Sequence, residues 1–286
     1  MKPIGYLLLW GVSLGCWAAC YPYHSEVIGE IQTVSVTKGD TLPTLAKRYD
    51  VGYDALWQAN PQLQFHSLFL GMQVILPTQH LLPKTAHKGI VVNVAEKRLY
   101  FFKNPSTVCT YPVSIGQKEW PTPLGVFTIT QQIKNPSWHV PASIRAAEKK
   151  LGKMLPKVVK PGPDNPLGSR ALRLSRRNYL IHGNNDPVSI GSSSSAGCLR
   201  LYEKDIQELY RWVQVGGSVK IINQPLKQRM IKQHLWVEVH PKLDDIYGPS
   251  KEKSIAYHIS NINKQWLQKV MTLHSGMPIV IGTVKS

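Results

Sequence analysis

The periods of apolar and polar residues change several times along the chain. Thr33-Val34-Ser35-Val36 alternates with the period of a strand. Leu42, Leu45, Ala46 and Tyr49 then recur at i, i+3, i+4 and i+7, which predicts a helix over 41–49 with Asp40 as N-cap and Pro43 in its first turn. A second short helix is expected from Tyr53 to Ala59, stopped by Asn60-Pro61, and Gly71 to Pro77 reads as a turn and closing strand. Residues 31–78 thus form a βααβ module, and 79–88 read as a polar, proline-containing linker.

From Gly89 the chain turns to β. Ile90–Val94 and Leu99–Phe102 suggest a hairpin, and 111–115 and 126–130 add strands. Residues 131–170 carry many prolines and little periodicity, and read as long loops over a cleft. Leu172–Leu174 and Tyr179–Ile181 lead to His182. An amphipathic helix follows over 203–213, with Ile206, Leu209, Tyr210 and Val213 on one face. Ser218–Ile222 closes a sheet. The expected fold is a mostly β domain over 89–223, with one main helix behind its site, beside the small βααβ module. Residues 224–286 form a C-terminal subdomain of unassigned role, with an edge strand near 235–239 and a helix near 262–273.

Residues 1–20 read as an export signal: Lys2, the apolar run Ile4–Leu14, then Ala18-Ala19. The run is short for a membrane span. Ala18-Ala19-Cys20 resembles a lipoprotein cleavage box with Trp17 in place of the usual aliphatic residue, so lipidation of Cys20 and ordinary cleavage both stay open. Cys109 reads as a packed free thiol. The net charge of +17 suits an anionic polymer or surface. Nucleic acid is not the expected partner, since no arginine-rich arm, zinc pattern or recognition helix is evident. The histidines lack metal-ligand spacing and no phosphate loop is present, so neither metal nor cofactor is expected.

The chemistry concentrates at Ile181-His182-Gly183 and, sixteen positions after the histidine, at Ser195-Ala196-Gly197-Cys198-Leu199-Arg200. A thiolate nucleophile needs a proton acceptor within reach, and backbone N–H groups beside Gly197 and Cys198 suit an oxyanion. Arg200 fits a bidentate carboxylate contact, or an ion pair with Glu203 or Asp205. Trp138 fits a cleft wall, a lid or a core.

These residues, with Thr122-Pro123-Leu124-Gly125-Val126-Phe127, Asn135-Pro136-Ser137-Trp138 and the Pro161–Gly168 loop, resemble the YkuD-type L,D-transpeptidases of bacterial cell walls, in particular those that attach proteins to the wall. Gly39-Asp40-Thr41-Leu42, Asn60 and the closing Gly71–Pro77 resemble a LysM domain, which implies binding to N-acetylglucosamine-containing glycans. The resemblance implies a periplasmic enzyme with Cys198 as nucleophile and His182 as base, the Gly183 carbonyl orienting the imidazole. Arg200, Trp138, Ser195 and Gly197 are the implied substrate-binding residues. Ala196 stands where many relatives carry a second histidine. The implied partner is peptidoglycan, and the acyl acceptor is a stem amine, an amine of an outer-membrane protein, or water. A non-catalytic wall-binding protein is the rival outside the enzyme class. The glycan module is expected to be separable from the chemistry.

Overall fold

The computed structural model describes residues 19–283 apart from Tyr23, 65–66 and 250–263. Apart from its last two positions, the expected leader lies outside the described residues. A nine-stranded sheet forms the main body, in the order 19–22, 107–112, 98–104, 89–93, 218–222, 125–134, 170–174, 180–182, 199–200. Most neighbours are antiparallel. Ser218–Ile222 runs parallel to Gly89–Asn93, and Leu180–His182 parallel to Leu199–Arg200.

The sequence hairpin is present as Gly89–Asn93 and Arg98–Asn104, with Lys97 at positive φ in its turn. Four helices matter to the site: α1 (Leu42–Arg48), α2 (Tyr53–Ala59), α3 (Ala142–Lys150) and α4 (Glu203–Trp212). The expected stripe of α4 packs as read, with Ile206, Leu209 and Val213 buried against the sheet among Leu172, Ile181 and Leu199. The segment 131–170 is more regular than its sequence suggests. The strand from Gly125 continues to Lys134, Trp138–His139 pairs with Val158–Val159, and α3 lies between them. No residue of α3 is buried, so no apolar stripe announces it.

The small module has its own core of Val36, Leu45, Ala46, Val51, Leu56, Leu63, Met72, Val74 and Leu76. Its strands Gln32–Ser35 and Gln73–Leu76 pair antiparallel. The N-cap of α1 is Thr41 rather than Asp40: the Thr41 hydroxyl accepts from the Thr44 N–H and the Thr44 hydroxyl from the Thr41 N–H. Asp40 instead accepts from the Thr37 N–H and hydroxyl and pairs with Arg48. Asn60 is fully buried and spends its amide within the fold, donating to the Leu56 and Ile75 carbonyls and accepting from the Ile75 N–H, each at 2.8 Å.

Three expectations change. Cys109 is bonded to Cys20, which sits opposite it on paired strands. Cys109 is therefore no free thiol, and in this form Cys20 has no sulfur left for a lipid thioether. The strand His234–Val239 is central, between Leu226–Ile231 and Ile279–Thr283, because the polar run Lys227-Gln228-Arg229 is itself a strand. The 79–88 segment is no solvated linker. Its strand His80–Leu81 pairs with Val27–Ile28, and residues 80–83 are buried.

A buried ionic cluster fastens that segment and the C-terminal strands to the main sheet. The fully buried Lys227 ammonium lies 2.6 Å from Glu238, 3.0 Å from Glu96 and 2.7 Å from the Leu81 carbonyl. Tyr100 donates to Glu96, and His240 lies 2.7 Å from Glu238. Burial alone would raise the Glu96 carboxyl, but the charges of Lys227, His240 and Arg98 bring it below its usual value. Charged residues read as surface in the sequence; their mutual pairing is what lets them lie inside.

Candidate functional site

The parallel strands Leu180–His182 and Leu199–Arg200 place His182 opposite Arg200 in register. Cys198 immediately precedes the second strand. Its parent segment returns from His182 through a short helical turn at Pro187–Ser189, capped by the Asp186 side chain, and through Ser193–Ser195, which pairs with Ile115–Gly116. The Asp186 side chain accepts from the Val188 N–H at 3.2 Å.

One cleft of about 270 Å³ takes in His182, Cys198, Arg200, Ser195, Ala196, Trp138, Pro166 and Leu167. The half-buried Trp138 forms part of its wall, on the lid that also carries α3. Asn165, nearly inaccessible, holds the feet of this lid by donating to the Pro136, Val159 and Lys160 carbonyls while accepting from the Leu167 N–H. His139, Arg173 and Asn178 also line the cleft, and sequence reading did not assign them to it.

His182 is 3% exposed, and its Nδ1 lies 2.7 Å from the Gly183 carbonyl oxygen. That bond fixes the tautomer with the proton on Nδ1, which leaves Nε2 as the basic nitrogen. Burial, then the Arg200 charge, lowers the imidazole to a pKa of about 3, against the pull of the Gly183 and Leu167 backbone. His182 is therefore neutral near pH 7. Cys198 is the one free cysteine among the described residues, with its thiol 3.6 Å from the Asn178 carbonyl. Desolvation raises its pKa, opposed by the Leu180 backbone and by Arg200. Both shifts favour the uncharged form of the two groups.

The loop that carries Cys198 is tightly fastened. Ser195, 1% exposed, donates its hydroxyl to the Cys198 carbonyl at 2.5 Å and accepts the Gly197 N–H at 3.1 Å. Its hydroxyl is thus occupied in holding Cys198 rather than offered to a ligand. The Gly197 N–H is likewise spent, so it is not the oxyanion donor that sequence reading made it. Gly197 adopts φ 99°, and a Cβ there would stand 2.8 Å from the Tyr179 ring. The hydroxyl of Thr122 completes the clamp, accepting from the Gly116 N–H at 2.8 Å and donating to the Gly197 carbonyl at 2.9 Å. Sequence reading assigned Thr122 no such role; its place opening the Thr-Pro-Leu-Gly segment was the available signal.

Arg200 faces no carboxylate within ion-pair distance among the described residues, and its Nε has no partner. The expected alternatives are otherwise engaged: Glu203 accepts from the Ser169 N–H and Gln207, and Asp205 lies against Asp50. An unneutralised guanidinium in a cleft with a thiol and a neutral imidazole can hold an anionic group beside the reacting atoms.

Residues 87–221 match the L,D-transpeptidase catalytic domain family, YkuD, and residues 34–77 match the LysM domain. The chain is 37% identical to probable L,D-transpeptidase YcfS of Escherichia coli over 275 residues, covering 90% of this chain and 86% of that protein. It is 40% identical to probable L,D-transpeptidase ErfK/SrfK of the same organism, covering 78% and 73% respectively. Putative L,D-transpeptidase YkuD of Bacillus subtilis is 33% identical, covering 66% of this chain and 98% of that protein. With a mostly β body, a cleft joining Cys198 to His182 and relatives matched over most of their length, the chain belongs to the YkuD-type L,D-transpeptidases and carries an N-terminal LysM domain.

Proposed function

We propose that this L,D-transpeptidase works in the periplasm on peptidoglycan stem peptides through a Cys198 thioester. The Cys198 sulfur attacks the carbonyl that follows the L-centre of meso-diaminopimelate in a tetrapeptide stem. The thiol proton passes to His182 Nε2 and from there to the amine of the departing D-alanine. An acceptor amine then opens the thioester, gives its proton to His182, and the thiol is restored. The observation that carries this reading is the His182 imidazole, held at Nδ1 by the Gly183 carbonyl, in the same cleft as the free Cys198. With both groups uncharged at rest, deprotonation accompanies attack, as general-base catalysis requires.

Since the Gly197 N–H is committed to Ser195, the N–H of Cys198 itself is assigned to the developing oxyanion, a contact typically worth about 3 kcal/mol. Arg200 is assigned to a stem carboxylate and Trp138 to the cleft wall over the peptide. The LysM domain holds the glycan strand. Among the described residues no helix is long and apolar enough to cross a membrane, and the Cys20–Cys109 bond suits an oxidising compartment.

The acceptor is an amine of a neighbouring stem or of an outer-membrane protein, and the Ser-rich loop before Cys198 favours the protein. Mass spectrometry of wall fragments after incubation with the purified enzyme tests this. A three-three cross-link, a peptide-linked protein and a trimmed tripeptide differ in mass. Recovery of the trimmed tripeptide alone would make the enzyme a hydrolase.

A further inference from the structure

The LysM domain touches the catalytic domain at the segment that leads to the nucleophile. After α1 the chain turns through Asp50, at φ 55°, and lays Val51-Gly52-Tyr53 on the catalytic domain. The Tyr53 N–H donates to the Ile190 carbonyl at 2.9 Å, and the Tyr202 hydroxyl donates to the Val51 carbonyl at 3.2 Å. Gly52 and Gly191 meet backbone to backbone: a Cβ on Gly52 would stand 3.0 Å from the Gly191 Cα, and one on Gly191 only 2.3 Å from the Gly52 Cα. Ile190 and Gly191 are buried in this contact. They run directly into Ser192–Ser195, where the Ser192 carbonyl accepts from Ile115 and the Ser195 hydroxyl holds Cys198.

The other end of the same short helix carries the turn expected to meet the glycan. Asp40, in that turn, is tied to Arg48 in the last turn of α1. A displacement of the Gly39–Leu42 turn therefore acts on a seven-residue helix that packs against Pro187–Ser189 and runs on into the Gly52 contact with Gly191.

We propose that the LysM domain is a positioning element of the active site, with Gly52 and Tyr53 seating the segment ahead of Cys198, so that glycan binding at one end of α1 and acylation of Cys198 at the other are coupled. The proposal rests on Cys198 being the nucleophile. It runs against the separability expected from sequence, because removing 31–78 would strip the partners from Ile190, Gly191 and Tyr202. A glycan that binds the docked arrangement better than the loosened one shifts the population towards it, and the linkage is reciprocal in binding.

The test uses the full chain with Gly52→Val. Gly52 has φ −74°, so the backbone accepts a side chain and the change acts as a wedge at the contact. The readouts are the rate of Cys198 acylation by a carbapenem, with and without an N-acetylglucosamine tetramer, and binding of the tetramer itself. In the wild type the tetramer should accelerate acylation. The Val variant should bind tetramer more weakly by the factor the coupling supplies, acylate about fivefold more slowly, at the low end of typical couplings, and no longer respond to it. Gly52→Ala needs its neighbour to yield only a few tenths of an ångström. It should fall between the two, and it decides the matter should the Val variant fail to fold. Wild-type acylation rate and tetramer response in the variants would overturn the proposal, as would a wild type that binds tetramer without any change in rate. Absence of a Cys198 adduct in the wild type would instead remove the nucleophile assignment.

Discussion

His182 and Arg200 stand opposite each other on adjacent parallel strands, so the imidazole of the cleft sits beside a permanent cation. Burial is the larger cause of the low imidazole pKa and Arg200 the next, and together they bring it to about 3. The unfolded chain would bind a proton at His182 near 6.5. Between those values the unfolded state holds more protons, so this group's contribution to stability is complete above pH 6.5 and is lost as pH falls towards 3. Acylation by a carbapenem should show no inflection near 6.5. In the wild type, a titration of the His182 ring followed by NMR should stay flat from pH 8 to 5; an ordinary imidazole titration there would remove the neutral-base argument.

Arg200→Lys keeps the charge and loses the fork. The expected result is a fall of about 10–100-fold in efficiency on a tetrapeptide stem, the scale of a lost charged hydrogen bond, carried mainly by KM. Steady-state kinetics with the stem and with its C-terminal amide measures it. A variant that matches the wild type on both would leave Arg200 without a carboxylate role.

Cys198→Ser should fold and give no carbapenem adduct, because a hydroxyl is far harder to deprotonate than a thiol. Cys109 cannot substitute while bonded to Cys20. His182→Ala should lower acylation about 10²–10⁴-fold. His139 lines the same cleft but is exposed, and His139→Ala should cost much less. Intact-protein mass spectra over time separate these cases; equal damage from the two histidine variants would end the single-base reading.

How much of this was legible in sequence depended on whether a residue's partner lay nearby in the chain. The stripe Ile206, Leu209, Val213 announced α4 because its period is local. Leu226–Ile231 was hidden because Lys227 pairs with Glu96 and Glu238, far from it in sequence, and a buried lysine looks like a surface one. Within the site, short motifs drew attention to Cys198 and His182, and the resemblance they carry implied the Gly183 carbonyl contact that the fold contains. The work of Ser195 could not be read as loop fastening, because its bonds to Gly197 and Cys198 depend on loop geometry. Cys20 and Cys109 offered no spacing rule, and only the pairing of their strands brings them together.

Lys227→Met should be strongly destabilising. It would leave Glu96 and Glu238 buried without their shared cation, a loss typically of about 3–5 kcal/mol. Urea unfolding of the single variant and of Lys227→Met combined with Glu238→Gln is the measurement. Partial recovery in the double variant is expected, since it removes one of the uncompensated charges; a single variant as stable as the wild type would show that the cluster contributes nothing net.

The contact between the two domains should make stability fall as pH rises above the ordinary carboxylate range, through Asp205 beside Asp50. Both side chains are buried, with Lys204 at 3.3 Å from the first and 3.8 Å from the second. Burial, then the Asp50 charge, raises the Asp205 carboxyl well above the carboxylate range, with Lys204 opposing and Glu208 adding to the rise. The Tyr111 and Tyr202 hydroxyls and the Arg98 charge complete the surroundings. The folded state thus keeps a proton that the unfolded chain has already lost. Stability from this carboxyl is complete below the ordinary aspartate range, about 3.9, and declines as pH rises from there to the point where the folded state gives up its proton. Asp50→Asn removes the like charge without changing the side chain's size. Its melting temperature should gain on the wild type as pH is raised from 5 to 9, with little difference at pH 5. Parallel curves for the two proteins across that range would mean that the pair is not sharing a proton, and that Lys204 alone balances both carboxylates.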